Sequence, residues 1–192
     1  DGYWSATPYA DDPRLAWFVY FGNGVVSNEL KGNYYAVRAV RAGSSPPPTP
    51  TATATPCTPH FSGTYTDNCD GTVSDSATGL MWEQKTTAVC SGQNLADPHD
   101  VDNWYTWSTG PPWNQDGTAF TDFLAKLNDA AGAGTNCFAG HCDWRLPKSG
   151  GRPDISSPSG EPAELESILL APYPCGTSPC IDPIFGPTIL GY

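Results

Sequence analysis

Basic residues are scarce in this chain. Nine Lys and Arg stand against twenty Asp and Glu, a formal net charge of −11 across 192 residues. With no basic cluster, the chain lacks the electrostatic footprint that a nucleic-acid backbone requires. Long apolar runs are missing as well. The longest, LAWFVYF at 15–21, has seven residues, far short of the roughly 20 that a bilayer-spanning helix needs. The three His (His60, His99 and His141) are scattered, and there is no Gly-x-Ser-x-Gly, no His-Glu-x-x-His and no phosphate loop. The expectation is therefore not an enzyme. No Asn-x-Ser/Thr sequon occurs, so N-linked glycosylation of that type is not expected. No signal peptide stands at the front, and Asp1 opens into a strand-like aromatic region, a poor natural start for a domain.

What the chain holds in quantity is Gly and Pro. Twenty of each make roughly a fifth of the residues, against roughly 12% in average usage. That argues against a helical bundle or a long coiled coil. The Gly residues have no three-residue period, which excludes collagen. Aromatics at 12% are too many for a disordered chain. The charge is uneven. Residues 1–60 balance four basic against four acidic groups, while 61–192 carry five basic and sixteen acidic ones, so the whole excess lies in the second part. A solvated acidic surface accounts for it. Self-repulsion for solubility and cation binding are the sharper alternatives.

Seven Cys in a Trp-rich, Lys-poor chain point to an oxidising, extracellular or cell-surface setting. Cys137/Cys142 and Cys175/Cys180 are each spaced Cys-x4-Cys. With His141 they can be drawn as a zinc site, but the spacing is looser than a Cys-x2-Cys knuckle and the compartment favours disulfides. The disulfide candidates are Cys69, Cys90, Cys137, Cys142, Cys175 and Cys180, with connectivity open. Cys57 is the odd one, either unpaired or intermolecular.

Residues 44–60 read as a linker: six Pro, five Thr and no large apolar residue. Such a segment cannot bury enough surface to fold and favours an extended polyproline-II path, reaching about 50 Å at ~3.1 Å per residue. Its Thr49, Thr51, Thr53, Thr55 and Thr58 are O-glycosylation candidates, as in mucin-like stalks.

Before the linker the pattern is β. Residues 16–21 form one strand, Asn23-Gly24 signals a two-residue hairpin, 25–27 start the return strand, and 34–41 read as a third strand. Alternation along that third strand would place Arg38 and Arg41 on opposite faces. After the linker, 63–66, 72–74 and 79–83 are short strands, with a turn at Asp70-Gly71. Phe120, Phe123, Leu124 and Leu127 fall at i, i+3, i+4 and i+7, one face of a helix that Thr118 can cap and Gly132 can end. A second helix is expected from Pro162 to Leu170, burying Leu165, Ile168 and Leu169. The sum is an α+β chain with two helices, many short antiparallel strands and long disulfide-pinned loops.

Particular segments carry a family resemblance. DGTVSD at 70–75, TGLMWE at 78–83 and DWRLP at 143–147, followed by a helix at Glu164-Leu165, resemble the Lcl C-terminal domain family. YTW at 105–107, residues 120–128, CFAGHC at 137–142 and CIDPIF at 180–185 extend the match. The resemblance implies a bacterial surface domain of C-type-lectin-like, sulfatase-modifying-factor-like fold. The order is permuted, however. In the family, the piece resembling YWSAT at 3–7, with its hairpin and the closing VRAVR strand at 37–41, follows the IDP segment; here it stands in front. The expectation is that 1–43 form the C-terminal part of a lectin-like domain, 44–60 a linker, and 61–192 the N-terminal part. A 1–43 segment of the next repeat or a neighbouring subunit would complete it. A single chain closing on itself is the third account.

On this reading Trp4, Trp82 and Trp144 belong to the core, and Arg145 satisfies a carboxylate or buried carbonyls rather than a substrate. Trp104, Trp107 and Trp113 are the glycan-stacking candidates. Asp97, Asp100, Asp102 and Asn103 form an oxygen-rich run that could ligate calcium, weighed against a plain solvated acidic loop; no other cofactor is expected. The leading functional expectation is a structural subunit or repeat of an extracellular filament, assembled head to tail by self-association. The alternative is a glycan-binding adhesin module, with acidity counting against polyanionic ligands.

Overall fold

The computed structural model describes residues 2–43, 58–86, 92–132, 134, 136–152, 157–158, 161–170, 175–176 and 178–189. The strands are β1 (Gly2–Pro8), β2 (Leu15–Tyr20), β3 (Val25–Leu30), β4 (Tyr34–Tyr35), β5 (Val40–Ala42), β6 (Phe61–Ser62), β7 (Tyr65–Asp67), β8 (Thr72–Asp75), β9 (Leu80–Glu83), β10 (Tyr105–Thr106), β11 (Gly151–Arg152) and β12 (Ser157–Pro158). One antiparallel sheet runs β1-β2-β3 and a second runs β5-β9-β8-β7-β6; β4 pairs with β10, and β11 with β12. The architecture is mixed α+β and mostly strand.

The β1-β2-β3 sheet is covered on both faces. Successive side chains of a strand point to opposite sides. Tyr3 therefore joins a core with Trp17, Val19, Phe21, Trp82, Ile168 and Phe185, while Trp4 joins another with Val37, Met81, Tyr105, Phe123, Leu127 and Trp144. Trp4, Trp82 and Trp144 are buried, as the sequence suggests. Both cores draw residues from before and after 44–60.

Several elements depart from the sequence reading. Tyr20 pairs with Val25, so β2 and β3 are joined by a four-residue loop rather than a two-residue turn. Gly24 takes φ 78° there, and its N–H donates to Tyr20 O at 2.8 Å. The single strand expected at 34–41 divides into β4 and β5. Between them Ala36 bridges Tyr3, and Ala36, Val37, Arg38 and Ala39 are all buried, so burial there does not alternate. The first expected helix is shorter, a π-helical turn at Ala119–Leu124 followed by α1 at Ala125–Leu127. Thr118 does not cap it; its Oγ1 instead accepts the Thr106 N–H at 2.9 Å. The wider π turn buries Ala119, Phe123 and Leu127 and leaves Phe120 and Leu124 half-buried, against the single buried stripe expected. The second helix is only a 3-10 turn, Leu165–Ile168, because Leu169 turns extended and bridges Ile181. Among the described residues no helix is long and apolar enough to cross a membrane.

Two disulfides close short loops: Cys137–Cys142, with Cα atoms 5.1 Å apart, and Cys175–Cys180, at 5.7 Å. Cys69 is disulfide-bonded as well. Cys57 and Cys90 lie outside the described residues.

Candidate functional site: the joint between residues 2–43 and 58–189

Residues 2–43 and 58–189 meet along a buried joint whose centre is charged. Arg38 is fully buried. Its Nη1 donates to Glu83 O and Phe185 O, both at 2.8 Å, and the guanidinium lies over the Tyr3 and Phe185 rings at 6.0 and 5.8 Å. Burying a guanidinium costs several kcal/mol unless polar partners meet it. Here both carbonyls come from beyond residues 44–60. Burial pushes the Arg38 pKa down from its ordinary value, and the neighbouring Tyr3 and Glu83 oppose that shift. Burial raises the Tyr3 phenol, opposed by Arg38 and by the Ile189 backbone beside it.

Glu83 stands next to this contact. Its side chain is wholly buried at the end of β9. Oε1 accepts Lys85 Nζ at 2.8 Å and meets His99 Nδ1 at 2.9 Å, while Oε2 accepts the Ala39 N–H at 3.0 Å. Lys85 Nζ also donates to Pro98 O at 3.1 Å and sits 4.6 Å from the Phe123 ring centre. Burial alone would raise the Glu83 carboxyl; Lys85, His99 and Arg38 outweigh it and hold it below the ordinary value. The carboxylate thus accepts a backbone N–H from before residues 44–60 and an ammonium from after them. One charge-assisted cluster ties the two parts together.

Further contacts flank it. Trp4 Nε1 donates to Tyr105 O at 3.1 Å, and Trp107 Nε1 to Ser5 O at 2.9 Å. The Ala6 N–H donates to Pro147 O at 2.7 Å, and the Ser149 N–H to Thr7 Oγ1 at 3.0 Å. β5 pairs with β9 from Val40↔Trp82 to Ala42↔Leu80, and Val40 also bridges Arg145. Arg41 Nε donates to Asp143 Oδ1 at 2.7 Å. Together these make the joint a packed interior with hydrogen-bonded strands, not a surface contact.

The candidates from the sequence are dispersed around the joint. Trp107, grouped with Trp104 and Trp113 as a sugar-stacking surface, is instead a core residue, 2% exposed, with Lys31 Nζ 4.0 Å above its ring. Its indole N–H needs an acceptor once buried, and the Ser5 carbonyl supplies it. Trp104 and Trp113 are half-buried; Trp113 has φ 67°, and its carbonyl accepts Lys31 Nζ at 3.0 Å. In the oxygen-rich run, Asp97 Oδ1 accepts the His99 N–H at 2.9 Å and Asp100 Oδ1 accepts the Asp102 N–H at 2.8 Å. Asn103 Nδ2 donates to Asn94 O and Asp97 O. These atoms brace their own turn. Among the described residues no group of three or more His, Cys, Asp or Glu is placed to hold a metal ion. His141 falls between Cys137 and Cys142, which are joined to each other. Arg145 makes a bidentate pair with Glu164 at 2.6 and 2.7 Å. Thr58 is exposed, while Thr49, Thr51, Thr53 and Thr55 lie outside the described residues.

Sequence reasoning missed the Glu83–Lys85–His99 cluster. The signal was available in one form: Glu83 and Lys85 are two ionisable residues at i and i+2 where an apolar strand ends. Compared with protein-family models, with curated proteins and with solved structures, the chain matches none.

Proposed function

We propose that the protein is a structural unit of an extracellular filament. In it, 1–43 of one unit complete the lectin-like domain begun by 61–192 of its neighbour, and the Pro/Thr segment at 44–60 connects successive domains. The joint carries this reading. Removing 2–43 would strip β5 from β9, opposite Trp82, and take the Ala39 N–H away from the Glu83 carboxylate. Such an edge is a template for pairing with another chain. The same contacts can form within one chain or between chains, since exchange of an identical element reuses one interface. A linker reaching about 50 Å gives the exchange room.

The permuted resemblance to the Lcl C-terminal domain supports the same order of pieces. It requires the segment after Ile189 to approach β1, and Ile189 lies beside Tyr3. The surface localisation agrees with two disulfides, which persist in oxidising compartments. The −11 charge, repeated along a polymer, would keep its sides soluble.

Electron microscopy of the purified protein, paired with light-scattering mass, tests the proposal. Ordered polymers without added ligand are expected. A monodisperse 20.4 kDa particle would overturn it and leave a chain closed on itself.

A further inference from the structure

The π turn leaves two apolar side chains only partly covered: both rest against the core, Phe120 edge-on to Trp107 with ring centres 5.3 Å apart. Phe120 and Leu124 belong to the face the sequence marks as core, yet both are half-buried and border a cavity of about 400 Å³. Across it stand Thr7, Gln115, Arg145 and Lys148. Each charge at the rim is already matched: Arg145 by Glu164, and Lys148 by Glu161 at 2.7 Å. The cavity is therefore apolar on its floor, polar on its rim and neutral overall.

We propose that this cavity binds a neutral saccharide residue. A pyranose presents an apolar C–H face, which suits Phe120 and Leu124, and equatorial hydroxyls, which suit the rim. Gln115 Nε2 donates to Ala6 O at 3.0 Å, which directs its Oε1 away from that bond as an acceptor. Thr7 Oγ1 accepts the Ser149 N–H, leaving its O–H to donate. Arg145 spends its Nη atoms on Glu164 and Leu146 O, so its Nε–H remains as a further donor. A charged sugar would have to break a rim ion pair to gain a partner, and an acidic one would also meet the −11 field of the chain. The volume is at the lower end for small-ligand sites and fits one or two rings. Affinity for one ring is expected on the order of 1 mM. Repetition along a filament would raise the avidity without any new contact. The binding itself does not depend on the filament reading.

Saturation-transfer NMR on the full chain with the methyl glycosides of glucose, galactose, mannose and N-acetylglucosamine tests the site, and the method works on monomer and polymer alike. At least one glycoside is expected to receive saturation at its ring C–H protons. Phe120→Ala and the exposed Gln115→Ala are expected to weaken it tenfold or more, and Tyr34→Ala, on an exposed residue outside the cavity lining, to leave it unchanged. No transfer to any of the four would overturn the proposal. So would binding that Gln115→Ala leaves intact, or preference for methyl glucuronide over methyl glucoside.

Discussion

Replacing Glu83 by Ala removes one carboxylate and abandons three groups. Lys85 Nζ keeps only the Pro98 carbonyl and loses its counter-charge, the Ala39 N–H loses its acceptor in the interior, and His99 Nδ1 loses its partner. Breaking one side of a buried ion pair costs about 3–5 kcal/mol, because the surviving charge keeps its desolvation penalty. The orphaned Ala39 N–H contributes within that range rather than on top of it. With a urea slope of about 2 kcal/mol/M, the unfolding midpoint should fall by about 2 M. Glu83→Gln with Lys85→Met removes both charges at nearly constant shape. It should cost less than the two single changes added together, by at least about 1 kcal/mol. Acid adds a second test. Glu83 has a folded pKa below its unfolded value, so its contribution is complete above the ordinary Glu range. It is lost as pH falls through the folded value. The gap between wild type and Glu83→Gln should therefore narrow on acidification below about pH 4.3. A Glu83→Ala midpoint within about 0.5 M of wild type, or strictly additive double-mutant energies, would refute the assignment of Glu83 as the centre of the joint.

Other expectations follow from single contacts. Gly186 has φ 82°, and a Cβ there would lie 2.1 Å from Lys85 O, so Gly186→Ala should cost more than about 2 kcal/mol by urea unfolding. Gly32→Ala, with nothing within 4 Å of its Cβ position, should be close to neutral. Changing Cys137 and Cys142 together to Ser frees a short loop and should cost about 2 kcal/mol by the loop-closure relation, read by denaturation in the absence of reductant. Burial raises Glu166 above the ordinary value, with the Ser149 hydrogen bond opposing. A carboxyl raised on folding stabilises below its unfolded value and loses that contribution as pH rises through the folded one. Glu166→Gln should therefore hold or raise Tm at pH 7–8, and a fall of several degrees would contradict that sign.

The local signals in the sequence were good where chemistry is local. Asp70-Gly71 makes its turn, with Gly71 at φ 87° and Asp70 Oδ1 accepting the Thr72 N–H at 3.0 Å. The strands at 65–67, 72–75 and 80–83 lie close to where β-branched and aromatic residues cluster. Both Cys-x4-Cys spacings close on themselves. Arg145 pairs with a carboxylate, as a planar guanidinium in such a segment favours. Helix lengths were less legible. Thr118 had a competing acceptor role toward Thr106, and Leu169 had an extended partner in Ile181; neither is visible along the chain.

Composition, turn chemistry and cysteine spacing thus determined by themselves a strand-rich chain with short disulfide-closed loops. They act over a few residues, and the sequence displays those residues side by side. Only the tertiary structure decided that Arg38 and Ala39 meet Glu83, 45 and 44 residues away, and that Phe120 borders a cavity while Trp107 fills the core. Burial of a charge depends on what surrounds it in three dimensions. An arginine that the sequence places only on one face of a strand can therefore lie buried at the joint, where distant carbonyls turn toward it.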